Sequence, residues 1–260
     1  MWLLQGLRNG ILTTGWPWHR DDYFSRFVGG VSVKRHQADA KVLDAAEQCP
    51  TQAITTTPAV RLDRGRCILC GRCIDLSPRA FDWDCGSATA VPQRGALVVG
   101  AIPDTDEHLH QLRDGVAARV RRLRRSLHIR HVDAGSDGSD EWEVAALTNP
   151  VYDIARLGIF FTASPRHADL LLITGIGASG MVEPLRRTLV AMPAPVVVIA
   201  AGTDAVSGGL IGGGYTGGTG LGEVLDVDVW VPGSPPSPFA LLHGILLALG
   251  RLPARAGDRR

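Results

Sequence analysis

Residues 170–201 read LLLITGIGASGMVEPLRRTLVAMPAPVVVIAA, and this stretch decides the fold class. Its apolar ends, Leu170 to Thr174 and Val196 to Ala201, predict two buried strands, and Val182 to Met192 predicts a helix between them. Apolar strands joined by a helix are typical of a parallel sheet that is covered on both faces. The stretch therefore predicts an α/β domain.

The same alternation continues on both sides of this stretch. Leu127 to Val132 and Val227 to Val231 predict further strands, while Asp140 to Leu147 and Pro238 to Leu252 predict helices. We therefore expect the α/β domain to cover residues 129–260.

Composition excludes several classes of protein. The chain has 260 residues, 45% of them hydrophobic and 20% charged, which excludes a wholly disordered chain and allows one large or two ordinary domains. A net charge of +1 gives no general attraction for nucleic acid, so we expect no nucleic-acid partner. No apolar run reaches the roughly 18 residues that span a bilayer, and the N-terminus shows no cleavable signal.

The first 100 residues have a different character and predict a separate small domain. A short helix from Lys41 to Gln48 should end at Pro50, and Val60 to Asp63 and Ala80 to Trp83 predict short strands. Residues 101–128 predict an Arg-rich helical connector to the α/β domain.

Residues 1–30 form an N-terminal arm in which aromatic and aliphatic side chains alternate with cations. Trp16 and Trp18, for example, are followed by Arg20 and Arg26. This pattern fits an interfacial or docking segment, and it equally fits an arm packed on its own domain. Both interpretations stay open at this stage.

Three of the five cysteines fall in the run Cys67-Ile68-Leu69-Cys70-Gly71-Arg72-Cys73. An odd, clustered set without a secretion signal argues against disulfides and for metal ligation. The C-x2-C-x2-C spacing wraps a loop around one face of an iron–sulfur cubane, so that three thiolates reach three irons. A structural zinc site is the alternative, although this spacing fits paired zinc knuckles poorly.

The cysteine pattern resembles the bacterial two-cluster ferredoxins, in which the last cysteine of one motif ligates the other cluster. Cys49-Pro50 resembles the end of a first motif whose leading cysteines are missing, and Ser77 stands where the second motif would end. The resemblance thus implies a ferredoxin-like α+β domain with one [4Fe–4S] cluster on Cys49, Cys67, Cys70 and Cys73. Cys85 lies outside the pattern and is expected to be a buried thiol rather than a ligand.

A second resemblance covers residues 129–250. It is carried by Asn149-Pro150-Val151-Tyr152-Asp153, by Ser164-Pro165-Arg166-His167-Ala168-Asp169 before the central strand, and by Pro232-Gly233 before Pro235-Pro236. These segments resemble the small subunit that carries the terminal cluster of respiratory complex I, the NADH-quinone oxidoreductase. Its counterparts occur in energy-converting NiFe hydrogenases and formate hydrogenlyase.

This sequence departs from the pattern of that family at the cluster ligands. The family binds a [4Fe–4S] cluster through four cysteines, and the resemblance places Asp137, Asp140, Asp204 and Ser234 at those positions. A cubane prefers soft thiolate over hard oxygen ligands, so we expect no second cluster. Clustered carboxylates raise one another's pKa. Either a hard divalent ion, Mg²⁺ or Ca²⁺, binds there, or the loops form a solvated or Arg-paired surface.

Two further features have competing interpretations. The resemblance makes Arg166 and His167 interface candidates toward a large subunit. Gly175-x-Gly177-x-x-Gly180 mimics a dinucleotide fingerprint, but in the family this region is an ordinary strand-to-helix turn, so no nucleotide is expected.

Together the two resemblances imply an electron-transfer iron–sulfur subunit of a membrane-associated oxidoreductase of the complex I or formate hydrogenlyase kind. The implied partners are a large hydrogenase-like or complex I-like subunit and antiporter-like membrane subunits, with a peripheral position on the cytoplasmic face of the membrane. A non-redox structural or regulatory subunit of such a complex is one alternative. A nucleotide-dependent oxidoreductase is the other.

Overall fold

The computed structural model describes residues 2–34, 37–100, 106–119 and 126–252. The strands are β1 (Val28–Val33), β2 (Ile54–Thr55), β3 (Arg61–Asp63), β4 (Phe81–Cys85), β5 (Val98–Val99), β6 (Leu127–Asp133), β7 (Ile159–Phe161), β8 (Leu170–Thr174), β9 (Val197–Ala201) and β10 (Val229–Val231). The helices are α1 (Trp2–Asn9), α2 (Asp22–Arg26), α3 (Ala40–Glu47), α4 (Arg72–Leu76), α5 (Asp106–Arg119), α6 (Ser139–Ala146), α7 (Ser179–Ala191), α8 (Thr203–Ser207) and α9 (Pro238–Ala248).

The C-terminal half is a five-stranded parallel sheet in the order β10-β9-β8-β6-β7, which confirms the predicted α/β architecture. Side chains of β8 alternate between two cores, with Leu170 and Leu172 on one face and Leu171 and Ile173 on the other. Helix α9 covers the first face, and α7 and α8 cover the second. Burial on both faces explains the continuous apolar runs in these strands.

The N-terminal half is a small α+β region, as predicted, and its strands form two antiparallel sheets. Strand β1 pairs with β4, and β3 lies between β2 and β5. Val31, Val42, Leu62 and Phe81 form its core beside two of the cysteines.

Several element bounds differ from the predicted ones. Strand β8 is as predicted, whereas α7 begins three residues before the predicted Val182 and α9 ends before the predicted Leu252. Four strands were not predicted, namely β1, β2, β5 and β7. Of the predicted connector, α5 is described to Arg119, while the remaining arginines, Arg121, Arg122, Arg124 and Arg125, lie outside the described residues.

The aromatic residues of the N-terminal arm pack on the α/β domain, while its last residues enter β1 and pair with β4. Trp16 stacks on Phe24 with ring centroids 4.7 Å apart, and both rings contact the edge of Phe239 at the start of α9. The Thr14 N–H donates to the Val151 carbonyl at 2.8 Å. The first α/β core is therefore closed by residues that precede it by more than a hundred positions.

Within the described ranges, no helix is both long and apolar enough to cross a membrane.

Candidate functional site

The cysteine loop turns sharply between β3 and α4. Leu69 has φ of 57° and Gly71 has φ of 77°, both in the left-handed region. A side chain on Gly71 would also meet the Trp83 ring, 3.1 Å from its Cβ, so this position requires glycine twice over. The turn places Cys70 in solvent and starts α4, which carries Cys73 inward.

Cys49 reaches the same place from the end of α3. That helix begins at Asp39, whose side chain accepts from the Val42 N–H at 3.0 Å, and Cys49 follows its last turn. The Ala53 N–H donates to Cys49 Sγ at 3.3 Å. A backbone N–H pointing at a cysteine sulfur stabilises its thiolate form, as iron–sulfur ligation requires.

Cys49, Cys67, Cys70 and Cys73 line one pocket, walled by apolar side chains such as Val31 and Leu62. Burial raises the pKa of Cys67 to about 11, against a backbone hydrogen bond from Leu69 that lowers it. Burial, together with the charges of the other three cysteines, raises the pKa of Cys73 to about 12. These buried thiols therefore hold their protons at neutral pH until a bound cation displaces them.

The donor set fits a cubane better than a single ion. In the part of the chain that the structure describes, no three His, Cys, Asp or Glu side chains are grouped closely enough to hold one metal ion. A cubane distributes four thiolates over four irons, so its ligands stand further apart than the four ligands of a tetrahedral zinc site. Four cysteines around one apolar pocket satisfy that looser requirement.

Cys85, at the end of β4, does not line the pocket, and the expectation that it is buried is wrong, because its side chain is exposed. Ser77 follows α4 and is buried, and its backbone N–H donates to the Cys73 carbonyl at 2.9 Å. Its position thus closes the turn after Cys73.

Thr203 joins the cysteine loop to the α/β domain. Its hydroxyl donates to the Cys67 carbonyl at 3.1 Å, and the side chain is 1% exposed. Next to it, Gly65 lies so close to Val206 and the Arg94 guanidinium that a Cβ would come within 2.8 Å of both. Arg94 in turn donates to both oxygens of Asp63, at 2.8 and 2.7 Å. The cysteine pocket is therefore fixed against the carboxyl end of β9.

A second group of candidate residues lies at the same end of the parallel sheet. Asp137 and Asp140 follow β6, and Asp204 follows β9 in α8. Burial and then the charge of Asp204 raise the pKa of Asp140 to about 8. Burial and then the charge of Asp137 raise the pKa of Asp204 to about 6. We call Asp137, Asp140 and Asp204 the carboxylate edge.

Asp140 is the most buried member of the carboxylate edge, at 3% exposure. Its carboxyl group packs on the Cα of Gly202, where any Cβ would overlap it. Asp137 behaves in the opposite way, because hydrogen bonds from the Ser139 side chain and backbone lower its pKa. The carboxylate edge thus contains one carboxyl group, Asp140, whose protonated form is stabilised and one, Asp137, whose ionised form is stabilised.

The other predicted residues do not join these groups through the described contacts. Ser234 is exposed in the loop after β10, and Arg166 and His167 are exposed in a short 3-10 helix. Gly175 packs on a backbone, since a Cβ there would lie 2.7 Å from Gly135 and Ser136. Close chain packing accounts for that glycine without a nucleotide.

The α/β domain matches a known protein family. Residues 138–248 match the family described as NADH ubiquinone oxidoreductase, 20 Kd subunit. The chain is 36% identical to the probable membrane-bound hydrogenase subunit mbhJ of Pyrococcus furiosus over 142 residues, 55% of this chain and 85% of that protein. The chain belongs to the 20 Kd subunit family.

Two further relatives of this 20 Kd subunit homologue were found. The chain is 38% identical to formate hydrogenlyase subunit 7 of Escherichia coli K12 over 136 residues, 52% of this chain and 53% of that protein. The chain thus spans about half the length of that relative. A chain of the archaeal membrane-bound sulfane sulfur reductase is 30% identical, with a TM-score of 0.45, covering 53% of this chain and 76% of that one.

The 20 Kd subunit family typically binds a [4Fe–4S] cluster. The matched segment of this member begins at Gly138 and includes Asp140 and Asp204, while all five cysteines precede it. Any thiolate ligands in this chain must therefore come from outside the family domain. Sequence reasoning missed Thr203, whose contact with Cys67 spans 136 positions and leaves no local signal.

Proposed function

We propose that this chain is the electron-transfer iron–sulfur subunit of a membrane-associated oxidoreductase of the complex I or formate hydrogenlyase kind. One [4Fe–4S] cluster would be held by Cys49, Cys67, Cys70 and Cys73. The observation that carries the proposal is the convergence of these four cysteines on one apolar pocket that touches the family domain through Thr203.

When bound, the cluster supplies a one-electron carrier. Val31 and Leu62 exclude water from the pocket. The Ala53 N–H donates to Cys49 Sγ, and the Thr203 hydroxyl fixes the cysteine loop through the Cys67 carbonyl. Apolar burial and N–H donors to sulfur are the means by which a protein sets the potential of such a centre.

The partners proposed for this subunit are a large hydrogenase-like or complex I-like subunit and antiporter-like membrane subunits. We further propose a peripheral position on the cytoplasmic face of the membrane; the membrane-bound hydrogenase relative of this chain supports the association with a membrane. The exposed Arg166 and His167 are the proposed contacts with the large subunit.

A second candidate is a non-redox subunit whose cluster only stabilises the fold. The carboxylate edge favours it, because oxygen ligands stand at the positions that the family resemblance assigns to cluster cysteines. A cluster that is reduced and reoxidised within the assembled complex during turnover would exclude this second candidate.

The deciding experiment measures iron and acid-labile sulfide on anaerobically purified protein, with the EPR spectrum of the reduced state. We expect about four irons per chain, the content of a single cubane. Cys67→Ser should abolish the iron and the EPR signal, whereas Cys85→Ser, which changes an exposed thiol outside the pocket, should leave both unchanged. Iron and signal that survive Cys67→Ser would overturn the assignment.

A further inference from the structure

A shallow cavity of about 430 Å³, open to solvent, lies beside strands β6 and β7, and it shares no lining residue with the cysteine pocket. The end of β7 at Phe161 leaves the following residues of β6 without a neighbour on that side. Arg130 and Glu141 supply polar walls, and Phe161, Val144 and Ala145 supply apolar ones. The volume is within the range of small-molecule sites, roughly 300 to 1,000 Å³.

Arg130 brings an unmatched donor to this cavity. Its Nε is buried and has no hydrogen-bond partner, and no carboxylate of the described residues lies within 4.0 Å of its guanidinium. That Nε is closed off from solvent, but the guanidinium lines the cavity without a carboxylate partner, which favours an anionic ligand. The planar fork of arginine matches a carboxylate with two parallel hydrogen bonds.

Glu141 does not supply that acceptor, because its own oxygens are engaged elsewhere. The Ser136 hydroxyl donates to Glu141 Oε2 at 2.5 Å, and the Thr174 hydroxyl donates to Oε1. His131 Nε2 lies 3.0 Å from Thr174 Oγ1, and burial lowers the His131 pKa, so this ring is neutral at pH 7. Glu141 lines the same cavity and repels any anion, and it opposes a second ligand carboxylate most, since only one carboxylate can pair with Arg130.

We propose that this cavity binds a monocarboxylate with a compact apolar body. The carboxylate pairs with Arg130, and the body rests on Phe161, Val144 and Ala145. The carboxylate belongs either to a free organic acid or to an acidic side chain of a neighbouring subunit that enters the cavity. The chemistry recognised is the same in both cases.

The probe for this site is benzoate, titrated calorimetrically into the purified chain and into the assembled complex. Benzamide has the same shape without the charge, and phthalate adds a second carboxylate. We expect both to bind at least about tenfold more weakly than benzoate, because a charge-assisted hydrogen bond is lost in one case and Glu141 repels the added charge in the other.

Three substitutions test whether benzoate binds in this cavity. Arg130→Gln should weaken benzoate at least about tenfold, whereas Arg187→Gln, an exposed arginine paired with Glu183 on α7, should not change it. Ala145→Phe fills the cavity from an exposed helical position and keeps Arg130, so it tests the site even where Arg130→Gln fails to fold. It should abolish binding.

Binding to both the chain and the complex assigns the cavity to a free acid. Binding to the chain alone assigns it to a carboxylate of a neighbouring subunit, and Arg130→Gln should then weaken retention of that subunit. Absence of benzoate binding in both, or equal binding by wild type and folded Arg130→Gln, would overturn the proposal. Iron content is unaffected by any of these outcomes, so the electron-transfer proposal stands or falls separately.

Discussion

The cysteine pocket and the carboxylate edge lie on the two sides of Thr203, and both bury groups whose charged form is stabilised by water. In the pocket, burial raises the pKa of Cys67 to about 11. At the edge, burial and a neighbouring carboxylate raise the pKa of Asp140 to about 8. The physical cost is the same in both regions, because a charge is expensive in an apolar environment.

The two regions meet this cost differently. Four thiols around one pocket can lose their protons together to a soft metal cluster. Asp140 instead keeps its proton at neutral pH, which removes the repulsion from Asp204 without any cation. At neutral pH the carboxylate edge thus lowers its own charge by keeping a proton, whereas thiols such as Cys67 lose theirs only to a bound metal.

The largest expected effect is a gain of iron when cysteines replace the oxygen-bearing side chains at and near the carboxylate edge. A variant with Asp137→Cys, Asp140→Cys, Asp204→Cys and Ser234→Cys should bind a second cluster, because thiolate replaces hard oxygen at the four positions assigned to family ligands. Iron per chain, measured after anaerobic reconstitution, should rise from about four to about eight.

The matched control for that variant moves one cysteine by a single position. Ser139→Cys in place of Asp140→Cys presents the thiol from a different side of α6 and should leave about four irons. If the first variant also stays at about four irons, the four positions do not converge and the alignment with the family ligands is wrong.

The next effect is on stability as a function of pH. The folded-state pKa of Asp140 is raised from 3.8 to about 8, so folding binds a proton. Its contribution to stability is therefore full below about pH 4 and is lost as pH rises through about 8. Asp140→Asn removes this loss and should stabilise the protein at pH 8 by on the order of a few kcal/mol, since each pKa unit is worth about 1.4 kcal/mol.

Chemical denaturation at a series of pH values between 4 and 9 measures this difference. Asp137→Asn is the matched control, because hydrogen bonds from Ser139 lower the Asp137 pKa and favour its charge. That variant should be slightly less stable than wild type at neutral pH. Equal pH profiles for wild type and Asp140→Asn would show that Asp140 is ionised in the folded protein.

Sequence predicted the cores of both regions but not what joins them. Both ends of β8 could be predicted to the residue. The strand is buried on both faces, so its apolar run is continuous and its length marks the strand directly. Strand β7 was missed since three residues carry no period, and β1 was missed since Gly29-Gly30 is typical of a turn. Gly29 lies against the Gly86 carbonyl, where a side chain would collide.

The candidate site divides in the same way. The spacing of Cys67, Cys70 and Cys73 is local, so the sequence indicates the chemistry directly. The raised pKa values at the carboxylate edge could be anticipated only in direction, because Asp140 and Asp204 meet through strand order rather than spacing. The unpaired Arg130 gave no sequence signal, since an arginine in a strand ordinarily faces solvent.

The smallest expected effect tests the contact between the two regions. Thr203→Val keeps the shape of the side chain but leaves the Cys67 carbonyl without its donor, which should lower the free energy of unfolding by about 1 to 2 kcal/mol. Thr219→Val, which removes an exposed hydroxyl bonded to Glu223, should change it by less than about 0.5 kcal/mol. Iron content should stay at about four in both variants, because the hydrogen bond reaches the backbone and not the thiol. A Thr203→Val protein as stable as the control would mean that the pocket and the edge are held together by apolar packing at Val206 and Gly65 rather than by this hydrogen bond.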